Sequence, residues 1–88
     1  MMGDVVPMPS RLVVVRIAFD EEAAVWYVEH SDVPGLHAEG PTADALMQRI
    51  PALVADLVEE NGGTRDTGEI PLEIIASRAS RVHLRSSA

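Results

Sequence analysis

One segment of this chain has helical periodicity, and that single helix narrows the possible folds more than any other feature. Leu46, Ile50, Leu53, Val54, Leu57 and Val58 recur at intervals of three and four, so they fall on one side of a helix. Thr42 precedes them as an N-cap whose hydroxyl can accept an orphan amide, and Asp44 in the first turn suits the helix dipole. Asn61-Gly62-Gly63 is the stop signal. Pro51 lies inside the segment and removes one amide. Because the stripe continues past it on the same line, the sequence predicts a bend at Pro51 and not an end. A lone helix with one apolar stripe needs a second layer to cover it.

The remaining apolar segments supply that layer, because they alternate with the period of a strand. Arg11 to Phe19 is β-branched and free of turn residues. Val13, Val15, Ile17 and Phe19 share one of its faces, and Leu12, Val14, Arg16 and Ala18 share the other. Asp20-Glu21-Glu22 reads as a solvated turn, and Val25 to His30 as the second strand of an antiparallel hairpin. Ser31 to Gly35 is a turn in which Pro34 presets φ and Gly35 tolerates positive φ. Leu36 to Glu39 is a short third strand, ended by Gly40-Pro41. After the helix comes a polar loop over 63–69. Ile70 to Ala76 is then a fourth strand, with Pro71 marking an edge or a first position. The order β-β-β-α-β predicts an α+β two-layer sandwich. A three-stranded antiparallel meander is joined by a fourth strand parallel to the first, with the helix on one face. The domain spans 11–76, between an N-terminal segment at 1–10 and an arginine-bearing tail at 77–88.

Composition excludes several functions. Eighty-eight residues allow one domain with a small core. Cysteine is absent, which removes disulfides, thiolate metal sites and a cysteine nucleophile. The longest unbroken aliphatic run is Leu12 to Val15, and no signal-peptide layout opens the chain, so a cytoplasmic domain without a membrane span is expected. The net charge is −7 with no lysine, and it is uneven: residues 17–60 hold ten acids against Arg49 alone. Such a segment repels phosphate and attracts a basic partner, so duplex DNA binding by this chain alone is not expected. Arg78, Arg81 and Arg85 would form a basic stripe on a helix but would not share a face on a strand.

No arrangement of residues points to catalysis, to a cofactor or to a metal. His30 and His37 flank the Pro34-Gly35 turn and read as surface residues at strand ends. His83 has no evident partner, and the C-terminal serines lack a nucleophile-elbow or Ser-His-acid spacing. The features that suit partner binding are Trp26, Glu29, Asp32 and Glu39. Trp26 and Tyr27 are adjacent in a strand and face opposite ways, so one joins the core and the other lies on the open sheet face as an anchor.

The segment from Phe19 to Val28 ends in an aromatic pair and leads into Ser31-Asp32-Val33-Pro34-Gly35-Leu36. Glu39-Gly40-Pro41-Thr42 then opens a helix containing Ala45-Leu46. In this order and spacing, with Asp32, Pro34 and Gly35 in the turn and Gly40 and Thr42 before the helix, the sequence resembles the HicB-like antitoxin family. The closer likeness is to a stand-alone branch of that family with no assigned function. The resemblance covers about residues 13–62 and extends more loosely over 70–76. It implies a partial ribonuclease-H-like fold that binds a small basic toxin, HicA, and blocks its ribonuclease activity. Family members often carry a C-terminal ribbon-helix-helix or helix-turn-helix domain that binds operator DNA, and residues 77–88 are too short for one. Family members also commonly associate through this domain, so a homo-oligomer, a dimer first of all, is expected.

The expected function is therefore a non-catalytic protein-binding module of antitoxin type. The alternative is a stand-alone homo-oligomeric interaction domain without a toxin partner. A ribonuclease-H-like nuclease ranks last. That chemistry needs carboxylates converging on two metal ions, one of them from the middle of the first strand, where this chain has Arg16 between aliphatic residues.

Overall fold

A computed structural model describes residues 12–60 and 69–85. Within them the order is β1 (Val13–Asp20), β2 (Val25–Ser31), β3 (Glu39–Gly40), α1 (Ala43–Glu60) and β4 (Leu72–Ser77). The strands form one sheet in the order β3-β2-β1-β4, with β1 antiparallel to β2, β2 antiparallel to β3, and β1 parallel to β4. This is the expected α+β fold with a mixed four-stranded sheet. The expectations for 1–10, for the stop signal at 61–63 and for most of the 63–69 loop lie outside the described residues.

The alternation in β1 decides which face is covered. Val13, Val15 and Ile17 are buried with Leu46, Ile50 and Val54 of α1, which are the three innermost positions of its stripe. Thr42 caps the helix as expected: its Oγ1 accepts the amide of Ala45 at 3.0 Å. Pro51 sits within an uninterrupted α1, on its exposed side, while Ile50 and Val54 hold both halves against the sheet. The Asp20 turn is organised by one residue. The Asp20 carboxylate accepts the amides of Glu22 and Ala23, and its carbonyl accepts that of Ala24 at 2.7 Å. Ala24, at φ 58°, then turns the chain back into β2.

The third strand is shorter than the sequence suggests. Leu36 to Ala38 is not strand, and β3 is only Glu39–Gly40. Leu36 and Val33 are buried in the core, and Gly35, at φ 86°, lies beneath Leu57 of α1. The turn is therefore tucked under the second half of the helix, and the chain reaches the sheet only where the Val28 amide meets the Ala38 carbonyl. The fourth strand is shifted by two residues at its start and by one at its end, to Leu72–Ser77. Pro71 precedes it, and its carbonyl accepts the amide of Val13 at 2.9 Å.

Candidate functional site

Among the described residues the helix covers one face of the sheet, so the other face and the sheet edges are the candidate contact surfaces. A bulge determines what reaches the open face. Arg16 pairs with His30 and Ile17 with Val28, which leaves Glu29 as an extra residue on β2. Val28 and His30 would share a face in a regular strand. The bulge keeps Val28 on the helix side and turns His30 to the open side beside Arg16.

Four cross-strand rows make up the open face, Asp20 with Val25 being the one nearest the hairpin turn. Glu39, Tyr27, Ala18 and Ser77 form the second, His30, Arg16 and Ile75 the third, and Val14 and Glu73 the fourth. Tyr27 is thus the open-face aromatic. Trp26, the expected partner anchor, is on the helix side. It packs against the core and lies 5.5 Å from the Phe19 ring, and the Arg78 guanidinium sits over that ring at 4.2 Å. The register across the Asp20 turn, Phe19 to Trp26, decides this.

Glu29 and Glu39 are exposed, as a contact role requires. Asp32 is also exposed, yet it is engaged with the backbone. Its Oδ2 accepts the Val14 amide at 2.9 Å, and its own amide donates to the Val14 carbonyl at 3.1 Å, which closes the open end of the hairpin. His30 Nε2 lies 3.8 Å from the other carboxylate oxygen. Asp32 and Glu39 stand at opposite ends of β2, so the acids do not converge. Among the described residues, no three His, Cys, Asp or Glu side chains are grouped to hold a metal ion.

The residues that carry the family resemblance shape the backbone. Asp32 locks β1 to the turn, and Ser31 Oγ accepts the Val33 amide at 2.9 Å. Pro34 and Gly35 make the turn itself. Gly40 is buried against Leu46, where an added Cβ would lie 3.2 Å from the Leu46 Cβ and backbone nitrogen. Arg49 reaches back from α1 to donate to the Glu39 carbonyl at 2.8 Å. No charge pattern or spacing marked Arg49 for this role.

The tail does not form the basic helical stripe. Residues 78–85 have no regular secondary structure and are all exposed. No described helix is long and apolar enough to cross a membrane.

Comparison with known proteins agrees with this fold. Among solved structures, the chain is similar to a hypothetical protein, TTHA1013, from the extremely thermophilic bacterium Thermus thermophilus. The two are 34% identical, with a TM-score of 0.62 over 84% of this chain and 100% of that one. Among curated proteins none matches. A family model described as a domain of unknown function, DUF1902, matches residues 12–86, nearly the whole chain, and the protein belongs to that family.

Proposed function

We propose that this protein is a non-catalytic protein-binding module that, in the manner of a HicB-type antitoxin, sequesters a small basic ribonuclease toxin. The observation that carries this reading is the charge of residues 17–60, ten acids against Arg49, on a body whose sheet, among the described residues, has one face without a helix. Glu29 and Glu39 project from that body, and Tyr27 stands beside Glu39 on the open face. The acids steer a basic partner to the surface, and the aromatic ring and the aliphatic residues Val14, Ala18 and Ile75 hold it there.

The test uses the full chain as bait in its native host, followed by ribonuclease assay of any small basic protein that co-purifies. The expected result is a ribonuclease that the chain inhibits. Tyr27→Ala and the double variant Glu29→Lys/Glu39→Lys should each weaken that inhibition at least tenfold. A captured protein whose ribonuclease activity is unaffected by the chain would contradict the proposal. A second reading, a homo-oligomeric interaction domain with no such partner, is favoured by the edge of β4, which no strand pairs with among the described residues.

A further inference from the structure

The two sheet edges differ in how they are finished. β3 is two residues long and lies against α1, whereas β4 is six residues long. Among the described residues, nothing pairs with β4 on the side away from β1. Its sequence, Leu-Glu-Ile-Ile-Ala-Ser, contains one charge and no proline, and Ile75 is 38% exposed. Such an edge is a template for another strand.

The chain that leaves β4 has the properties of that strand. Residues 78–85 extend roughly 26 Å if fully stretched. Arg78 keeps the phase of β4, because it lies over Phe19 on the helix side, the side of Leu72 and Ile74. Continued alternation places Val82 and Leu84 on that same side and Arg81, His83 and Arg85 on the other. Val82 and Leu84 are 83% and 86% exposed, the two most exposed large apolar side chains among the described residues. The arm is cationic, with Arg78, Arg81 and Arg85 and no acid, while the body it leaves is strongly acidic.

We infer that residues 78–85 are an exchanged arm: in a two-fold dimer, the arm of each chain adds antiparallel to the free edge of β4 in a second copy. A two-fold axis at Ala79 satisfies both kinds of complementarity. Leu84 then stands opposite Ile74 of the second copy and Val82 opposite its Ala76, which covers the helix-side row. On the open side, Arg85 meets Glu73 of the second copy and His83 meets its Ile75. The pairing is isologous, so two edges are closed at once and no further edge is created along β4. It is a strand-addition mode in which backbone bonds give affinity and the alternate side chains give register.

This inference rests on the homo-oligomer reading, and the experiment separates the two. Light scattering on the full chain at high micromolar concentration should give twice the 9.5 kDa chain mass. Val82→Asp/Leu84→Asp, which alters only exposed side chains, should return it to the single-chain mass with an unchanged far-ultraviolet circular dichroism spectrum. In the otherwise cysteine-free chain, Ala79→Cys should form a disulfide-linked dimer under mild oxidation. A single-chain mass for the natural protein would overturn both the arm and the homo-oligomer reading. A dimer that persists in the double variant, or an Ala79→Cys chain that does not cross-link, would overturn the arm alone.

Discussion

The two edges of the sheet show how the same fold can close one border and leave the other open. At β3 the border is shortened to two residues by the burial of Leu36 under the helix. Gly40 brings the backbone against Leu46, and Arg49 takes up the Glu39 carbonyl. At β4 a longer apolar strand ends the sheet with no partner strand among the described residues and runs on into an exposed, basic arm. The difference shows that edge protection here is a local property of the chain on either side of each strand. The helix crosses from one border toward the other, but its buried positions, Leu46, Ile50 and Val54, face the core and do not close β4. On this view the β3 border belongs to folding and the β4 border to association.

Three substitutions test that division, in falling order of effect. Leu46→Ala removes a fully buried side chain that supports both the core and the closed border, and should cost about 2–5 kcal/mol in chemical denaturation. Gly40→Ala places a methyl group 3.2 Å from the Leu46 backbone nitrogen, which cannot swing aside, and should cost about 1–3 kcal/mol. Equal stability of the Gly40→Ala variant and the natural chain would mean that the closed border is looser than described. Ile75→Thr, on the open border, should change the unfolding free energy of the dilute chain by no more than about 0.5 kcal/mol. A loss as large as that of Gly40→Ala would mean that the β4 border is already part of the folded core.

Much of this was legible in the sequence, for reasons that can be named. Val13, Val15 and Ile17 alternate cleanly, the α1 stripe has one solution, and Thr42 has the chemistry of a cap, so the layers and the order of elements could be read directly. A strand following the single helix also had a clear place, parallel to β1. The features that govern the site depend on register, which composition does not encode. The bulge at Glu29 is a single extra residue with no signature of its own, yet it determines that His30 faces Arg16. The Asp20 turn sets Phe19 opposite Trp26, and that placement sends Trp26 to the core and leaves Tyr27 on the open face. Asp32 reads as a contact acid because it is a carboxylate in an exposed turn, but its geometry commits it to the Val14 amide. The three arginines of the tail read as a stripe only on a helix, and residues 78–85 form none.

The central claim is that β4 and residues 78–85 are two halves of one intermolecular contact. Amide hydrogen exchange over residues 80–84 of the full chain, at a concentration where the mass is doubled, tests it most directly. Exchange at Ser80, Val82 and Leu84 should be slowed about tenfold or more relative to the Val82→Asp/Leu84→Asp variant, because these alternate amides, in phase with the outward side of β4, are bonded only when a second copy supplies its β4 edge. Equal exchange at unprotected rates in both proteins would show that the arm pairs with nothing and would contradict the claim.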